Sequence, residues 1–318
     1  MKILKAFVHT IRWEADEVIS VELRPVSGEE FPAFTPGSHI DLHLPNGIQR
    51  SYSLCNSSNE CHRYVIGVLK DRASRGGSRW VHEELGVGMV IDISPPRNNF
   101  PMHEAAAHTV LVAGGIGITP LLCMARRLRD LGCSLELLYF TRSRRSAAFL
   151  DVLDSLDIQM TLHFDDEQGG PPDLKRVLAD RQHMSDLFVY ACGPTSMLNA
   201  FEQSCLALGL KNAYVERFVA IEQTPAADSL STFTVELARS NKSITITPAE
   251  SILDRLLQAG IEVGYSCFEG VCGSCETRVL AGEPDHRDSV LNAQERAANM
   301  TMMVCVSGCK SATLRLDL

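Results

Sequence analysis

The chain has 318 residues, a formal net charge of −9, 45% apolar residues and 22% charged residues. These values are ordinary for a globular protein of two or three domains. The acidic balance disfavours nucleic acid, which needs a basic surface, and is compatible with a partner that presents a basic face. No apolar run approaches the ~18 residues that span a bilayer, and the N-terminus lacks the apolar core of a signal peptide. We therefore expect a cytoplasmic protein with no membrane partner.

Residues 1–101 are predicted to form a small antiparallel barrel. Short alternating segments in this part are broken by Pro and Gly, as in VISVELRP, HIDLHLPNG, RYVIGVLKD and MVIDISPP. Alternation with period two is typical of half-buried strands, and frequent turn residues favour antiparallel connections.

Two segments of this barrel offer groups that suit a flavin. RSYSLCN contains Arg50, which can grip a phosphate, Tyr52, whose ring can cover an isoalloxazine, and Ser53, whose hydroxyl can bond a ring nitrogen. SRGGSRW, at 74–80, is a plausible backbone nest for phosphate. The alternative is that these segments are simply a hairpin edge and a turn.

Residues 102–222 are predicted to form a parallel-sheet domain. HTVLVAGGIGITPLLCMARRLRDLG reads as a strand, a glycine-rich turn at 114–119 and a helix, with Thr119 as its cap and Pro120 as its first residue. LFVYACGPTSMLNAFEQSCLALG, at 187–209, repeats strand, turn and helix. Parallel strands bind ligands at their carboxyl ends, so both turns should meet at one edge and hold a pyrophosphate.

The second strand of that domain, LELLYFT, is followed by TRSRRSAAF. Its three arginines, Arg142, Arg144 and Arg145, have no acid between them. Arginines at this position can hold a 2′-phosphate, so these residues alone favour NADPH over NADH.

Residues 223–232 are interpreted as a linker, within the polar and proline-containing segment AIEQTPAADSLS, and residues 233–318 as a further domain. STFTVELARSNKSITITP predicts a hairpin of two alternating strands. AESILDRLLQAG predicts a helix with an apolar face, closed by Gly260.

Three cysteines in this last domain have the spacing C-x4-C-x2-C, at Cys267, Cys272 and Cys275, and Cys305 follows after 29 intervening residues. This is the plant-type [2Fe–2S] spacing, in which a loop supplies three thiolates and a distant residue supplies the fourth. Gly270 and Gly273 would let the loop curl and aim its N–H groups at sulfur.

Two other interpretations of the cysteines stay open. A structural zinc site could pair Cys305 with Cys309 as its second ligand pair. A disulfide framework is disfavoured without a secretory signal. Cys309 is also a rival to Cys305 as the fourth cluster ligand, although Cys305 is preferred.

The motifs appear in a specific order along essentially the whole chain: RSYSLCN, SRGGS, GGIGITP, CGPTSML, VERF, CFEGVCGSC, GEPDHRDSVL and CVSGCKSATLRLDL. Together they resemble the phthalate dioxygenase reductase family, the class IA oxygenase reductases, and are similar to vanillate O-demethylase reductase components. The resemblance implies a multidomain β, α/β and α+β protein. Its parts would be an antiparallel flavin-binding barrel, a parallel-sheet nucleotide-binding domain and a C-terminal plant-type ferredoxin domain of the β-grasp type.

The resemblance also implies which residues hold the cofactors. FMN would be held by Arg50, Ser51, Tyr52, Ser53, Gly67, Val68, Gly76, Gly77 and Ser78. The nicotinamide nucleotide would lie over Gly114, Gly115, Gly117, Ile118 and Thr119, with Cys192, Gly193 and Pro194 near the nicotinamide and Phe218 beside the flavin. The cluster would be ligated by Cys267, Cys272, Cys275 and Cys305.

The function implied is the reductase component of a two-component Rieske-type oxygenase, with NADH as the donor that the family favours. A flavin is suited to stand between a hydride donor and a one-electron cluster. Plant-type clusters lie near about −400 mV and Rieske centres at roughly −150 mV or above, so transfer to such a partner is downhill. The alternatives are a stand-alone flavin and iron–sulfur NAD(P)H reductase of a small acceptor, and a non-catalytic zinc-stabilised binding protein.

Overall fold

The computed structural model describes residues 3–72, 74–220, 232–248 and 250–318. The chain divides into two compact units, Met1–Glu216 and Arg217–Leu318. The boundary predicted between 101 and 102 lies within the first unit, between its two sheets. The predicted linker at 223–232 lies almost entirely outside the described residues.

The first sheet of the first unit is antiparallel throughout, as the alternating segments predict. Its order is β4-β3-β6-β1-β2-β5, with β7 paired to β3. The elements are β1 (Leu4–Ala15), β2 (Val18–Pro25), β3 (Ser38–His43), β4 (Gln49–Ser53), β5 (Tyr64–Leu69), α1 (Gly77–Glu83), β6 (Val90–Ile93) and β7 (Arg97–Asn98).

The two ends of this sheet meet, which confirms the predicted barrel. Leu54, just beyond β4, forms an antiparallel bridge with Ile66 of β5, and the Cys55 N–H donates to the Val65 carbonyl over 2.9 Å. Along β5, Tyr64, Ile66 and Val68 alternate and are fully buried in the barrel core. Strand alternation therefore turns Gly67 to the outer face of β5.

The second sheet of the first unit is parallel, with the order β10-β9-β8-β11-β12. Apolar cores cover both faces, which explains the continuous apolar runs of its strands. The elements are β8 (His108–Gly114), α2 (Ile118–Asp130), β9 (Leu135–Thr141), α3 (Leu150–Asp154), β10 (Gln159–Phe164), α4 (Asp165–Gln168), α5 (Leu174–Ala179), β11 (Leu187–Cys192), α6 (Thr195–Leu208) and β12 (Asn212–Glu216).

The strand order reverses between β8 and β11, and the carboxyl ends of these two strands carry the two glycine turns. One detail of the sequence prediction was wrong. Gly115–Gly117 winds as a 3-10 turn and α2 begins at Ile118, so Thr119 is not the cap; its hydroxyl donates to the Ile116 carbonyl over 3.0 Å. The 3-10 turn therefore runs directly into α2 as one continuous helical segment.

The second unit has a mixed sheet of order β14-β13-β19-β15-β17, in which only the β13–β19 pairing is parallel, and a small β16–β18 ladder. The predicted helix packs its apolar face into the core of this sheet, which confirms the β-grasp prediction. The elements are β13 (Phe233–Leu237), β14 (Lys242–Ile246), α7 (Ile252–Gln258), β15 (Glu276–Ala281), β16 (Pro284–Asp285), α8 (Ala293–Ala298), β17 (Thr301–Met303), β18 (Gly308–Cys309) and β19 (Thr313–Leu316).

The cluster loop of the second unit occupies the stretch between α7 and β15. Within the described ranges, no helix combines the length and apolar character that crossing a bilayer requires.

Candidate functional site

Arg50 of β4 lies directly on the glycine turn that precedes α1. A Cβ added to Gly77 would lie 2.6 Å from Arg50 Cγ and 2.8 Å from its Nε, so only glycine admits this contact. Gly76 has a φ of 95°, which favours glycine. In the part of the chain that the structure describes, the Arg50 guanidinium has no carboxylate partner, and its Nη1 donates to the Gln49 carbonyl. An unpaired guanidinium against a glycine turn fits a phosphate.

Lys70, a further cation near this turn, is already engaged. The Lys70 Nζ lies 2.9 Å from the Glu83 carboxylate. The Ser78 hydroxyl accepts from the Asp71 N–H over 3.2 Å, and the Val68 carbonyl is 3.0 Å from His82 Nε2. Arg50, which lies against Gly77 in the turn, is therefore our candidate for receiving an anion at this corner of the barrel.

The residues of β4 point alternately to the two faces of the sheet. Arg50 and Tyr52 share one face, while Ser51 and Ser53 share the other. The Ser51 hydroxyl donates to Asp41 Oδ1 over 2.6 Å, so its side chain is occupied by an internal network. Burial raises the pKa of Tyr52 to about 12, which keeps the phenol neutral at physiological pH.

The two glycine turns of the parallel sheet interlock. A Cβ on Gly117 would lie 2.2 Å from the Cys192 carbonyl oxygen and 2.6 Å from the Gly193 nitrogen. A Cβ on Gly193 would in turn lie 3.0 Å from the Gly114 Cα. The predicted meeting of residues 114–119 with residues 192–194 is thus present, and it depends on backbone contact that any side chain would block.

Gly115 differs from its neighbours in this turn. Its φ is 52°, and a Cβ built there would meet no atom within 4 Å. Pro194 precedes the first residue of α6, and Ile118 begins α2, so each of the two interlocked turns leads directly into a helix N-terminus. Bare backbone beside two helix N-termini fits a pyrophosphate.

Gly67, predicted to contact flavin, forms a contact between the two sheets. A Cβ at this position would lie 2.6 Å from Thr119 Cγ2 and 3.0 Å from the Phe149 ring. The outer face of β5 therefore packs against the start of α2. This contact brings the barrel and the glycine turn at 114–119 together within the first unit.

Glu216, at the end of β12, is a partly buried residue that the sequence prediction missed, and its Oε2 is enclosed. Its Oε2 has no hydrogen-bond partner in the described structure. Burial raises its pKa to about 8, and a hydrogen bond from Ser53 opposes that rise. Its charge contributes to raising the pKa of the buried Cys192 thiol, after burial itself. The carboxyl thus joins β4 of the barrel to the second glycine turn and fits a ligand that brings a hydrogen-bond donor.

Two further predicted residues lie outside these clusters. Arg142 follows β9 and is exposed, at the carboxyl end of the parallel sheet. Phe218 is 40% exposed and belongs to the second unit, so its place beside the flavin stays a prediction.

Four thiols converge in the second unit as linked pairs. The Cys267 thiol shares hydrogen bonds with Cys272 and Cys305, and Cys275 shares one with Cys305. These contacts lower the pKa of Cys267 and Cys275, because a neighbouring S–H stabilises a thiolate. Two irons that each take two thiolates fit this pairing.

The loop backbone supports the same convergence. Phe268, Gly270 and Gly273 all have positive φ, and the Glu269 N–H points to Cys267 Sγ at 3.3 Å. At Gly270, a Cβ would lie 2.6 Å from the Val306 side chain, so this glycine also admits the segment that carries Cys305. Donors aimed at sulfur are the features that hold an iron–sulfur cluster.

Cys309 is turned elsewhere. It is buried, and its thiol donates to the Ser311 carbonyl over 3.0 Å. The geometry therefore groups Cys305, rather than Cys309, with the three thiols of the loop.

Comparison with known proteins agrees with this arrangement. The family model described as "2Fe-2S iron-sulfur cluster binding domain" matches residues 235–310. Phenoxybenzoate dioxygenase subunit beta of Ectopseudomonas oleovorans is 47% identical over 311 residues, which cover 98% of this chain and 96% of that protein. Tetrachlorobenzoquinone reductase of Sphingobium chlorophenolicum is also 47% identical, over 96% of this chain and 94% of that protein.

Among solved structures, phthalate dioxygenase reductase, described as "a modular structure for electron transfer from pyridine nucleotides to [2Fe-2S]", is 38% identical with a TM-score of 0.72. The match covers 99% of this chain and 98% of that one. The similarity thus extends over both units.

The interlocked turns predict that substitution of Gly117 lowers stability and weakens nucleotide binding. Gly117→Ala places a methyl group 2.2 Å from the Cys192 carbonyl oxygen, so one turn must move. We expect a loss of stability of about 1–3 kcal/mol and a marked rise in KM for the nucleotide. Gly86→Ala is the control, because its nearest contact would be an ordinary 3.7 Å. Thermal unfolding that is identical for the two variants would contradict the interlock.

The cysteine geometry predicts different outcomes for two neighbouring thiols. Cys305→Ser should abolish or strongly deplete cluster absorbance, because Cys305 links to both Cys267 and Cys275. Cys309→Ser should keep the cluster, because that thiol bonds only to Ser311 among the described residues. Iron analysis and visible spectra of both variants test this, and loss of iron in Cys309→Ser with retention in Cys305→Ser would reverse the assignment.

Glu216 predicts a pH-dependent contribution to stability. Its folded pKa of about 8 lies above its ordinary value of 4.5, so the folded state binds a proton that the unfolded state releases. This contribution is complete below pH ~4.5 and is lost as the pH rises through about 8. The Tm of the native protein should therefore fall relative to that of Glu216→Gln over this range. Parallel pH profiles for the two proteins, or the same effect in the exposed control Glu84→Gln, would contradict it.

Proposed function

Because this chain belongs to the phthalate dioxygenase reductase family, we propose that it is the reductase component of a two-component Rieske-type oxygenase in the cytoplasm. The partner would hydroxylate or O-demethylate an aromatic compound, with electrons passing from NADH by way of FMN and the [2Fe–2S] cluster. The observation that carries this proposal is the combination, on one chain, of interlocked nucleotide-type turns with four converging thiols in a cluster-binding domain. Such a chain has an inlet for electron pairs and an outlet for single electrons.

The first unit supplies the binding groups for flavin and nucleotide. Arg50 and the turn at Gly76 and Gly77 would hold the flavin phosphate, and Tyr52 lies on the same face of β4 as Arg50. Bound flavin supplies the capacity to accept electrons in pairs and release them singly. The task of the protein is to hold the two rings together and exclude water, which the contact of Gly67 with Thr119 supports.

Glu216 and Ser53 would place a hydrogen-bonding pair at the same end of the first unit. With a pKa of about 8, the Glu216 carboxyl is mostly protonated near neutral pH and can donate as well as accept. A neutral carboxyl also leaves no fixed negative charge to repel electrons arriving at the flavin.

The surroundings of the three arginines after β9 support NADH rather than NADPH. Arg144 lies over the Phe164 ring at 4.4 Å and 3.5 Å from the Glu167 carboxylate. Arg145 pairs with Asp16 over 3.1 Å. Each of these two guanidiniums already lies beside a carboxylate. A 2′-phosphate would have to displace that carboxylate to bind there.

The backbone of Arg142 lies next to the acidic start of α4. The Asp166 N–H donates to the Arg142 carbonyl over 3.1 Å, and Asp165 begins α4 next to it. Carboxylates at the carboxyl end of the second or third strand suit a ribose hydroxyl and repel a phosphate. These carboxylates support NADH over the NADPH preference inferred from the arginines alone.

A second candidate function rests on one relative. The 47% identity with a tetrachlorobenzoquinone reductase supports direct reduction of a small acceptor such as a quinone. The two functions differ in whether the cluster is required. Quinone reduction at the flavin would survive in Cys305→Ser, whereas transfer to an oxygenase would not.

Anaerobic titration with NADH, followed by visible and EPR spectra, tests the proposed function. A flavin and one cluster hold three electrons, so full reduction should require about 1.5 NADH per chain. The same reaction with NADPH should be at least about tenfold slower. A colourless, zinc-containing protein, or a flavoprotein whose cluster stays oxidised with excess NADH, would contradict the proposal.

A further inference from the structure

Two exposed aromatic side chains border the most accessible of the four thiols. Tyr265 is 38% exposed and Phe268 is 47% exposed, and their ring centroids lie 5.2 Å apart. We call these two residues the aromatic pair. Cys267 stands between them and is partly exposed, whereas Cys272, Cys275 and Cys305 are buried.

The backbone at Phe268 is strained. Its φ is 59°, a conformation that is unfavourable for a bulky L-residue and costs glycine almost nothing. The turn itself has a local purpose, because it directs the Glu269 N–H to Cys267 Sγ. Only the backbone is needed for that purpose. The loop therefore requires the backbone turn at residue 268. It does not require a phenylalanine side chain at that position.

Phe149 has the same backbone conformation, but burial of its ring accounts for the choice of an aromatic residue there. Its φ is 64°, but it is only 4% exposed and belongs to the core of the first unit, where its ring abuts Gly67. Burial of the phenyl ring removes apolar surface from water, which offsets the strain of the backbone. Phe268 has no comparable burial, and it lies outside the apolar core of the second unit. Its exposed ring is therefore available to contact another molecule.

Unpaired acidic residues accompany the aromatic pair. Glu262 precedes Tyr265 by three residues and Glu276 follows the ligand Cys275, and both are exposed. Neither forms an ion pair with any residue that the structure describes. Residues 231–318 contain eight Lys or Arg against eleven Asp or Glu, so the surrounding unit is also acidic. An apolar centre with an acidic rim is complementary to an apolar patch with a basic rim.

We propose that the aromatic pair, with Glu262 and Glu276, is the docking surface for the electron-accepting oxygenase component, which would present a basic rim around an apolar patch. The proposal rests on the proposed function, and it names the residues through which the cluster would pass electrons to the partner. Phe268 would be the central anchor, since exposed aromatic rings that become buried carry much of the energy of an interface. The acidic residues would act mainly on the rate of encounter, and their effect would be screened by salt.

The test uses the complete holoprotein and cytochrome c, a small basic protein that accepts one electron. Phe268→Gly removes the ring and relieves the strained φ, so the loop should keep its shape and its cluster. We expect KM for cytochrome c to rise about tenfold, with the EPR intensity of the reduced cluster unchanged. Met300→Ala is the matched control, because Met300 is a 55% exposed apolar side chain of the same unit outside the loop.

Salt supplies an independent measurement. Raising NaCl from about 0.05 to 0.3 M should raise KM for cytochrome c with the native protein, and the Glu262→Gln/Glu276→Gln double variant should respond less. The rate at which NADH reduces the cluster should be the same in all variants.

Three outcomes would overturn the proposal. KM in Phe268→Gly could stay within about twofold of the native value. The salt response could be identical in the double variant. Slower reduction of the cluster by NADH in Phe268→Gly would indicate that the ring acts in electron transfer within this chain and not in docking. If the native protein carries a cluster but NADH does not drive cytochrome c reduction at all, the proposed function fails rather than the docking surface.

Discussion

Four thiols held in mutual contact are the constraint on which the second unit depends. Cys267, Cys272, Cys275 and Cys305 lie close enough to share hydrogen bonds. As free thiols they can be accommodated only while some stay protonated, because adjacent thiolates repel. Iron removes that repulsion by neutralising the negative charge on sulfur. The positive φ angles at Phe268, Gly270 and Gly273 let the backbone curl so that one loop carries three of the thiols.

The first unit depends on an equally close contact, between backbone atoms of two turns. Gly117 and Cys192 approach each other so tightly that a methyl group has no room between them. This contact places the ends of β8 and β11 together, where the strand order reverses and ligands of parallel sheets bind. The contact of Gly67 with Thr119 then fixes the barrel against the same turn. The proposed nucleotide turns, the proposed flavin corner and Glu216 thereby belong to the first unit, and the proposed docking surface belongs to the second.

Much of this could be predicted from sequence, because the signals are local. Cysteine spacing predicted the thiol loop, alternating segments predicted the antiparallel barrel, and strand–glycine–helix segments predicted the parallel sheet. What the sequence missed depends on contacts between distant residues. Glu216 is one acid among 39 Asp and Glu in the chain, and nothing nearby in the sequence marks its carboxyl as enclosed. The arginines after β9 suggested a phosphate site, because their partners Asp16 and Glu167 lie on other segments.

The most direct measurement of the central claim is the metal and sulfide content of the purified protein, together with EPR after one-electron reduction. The account predicts about two irons and two acid-labile sulfides per chain, and one unpaired spin per chain after reduction. One zinc per chain, with no sulfide and no EPR signal after anaerobic reconstitution, would contradict it.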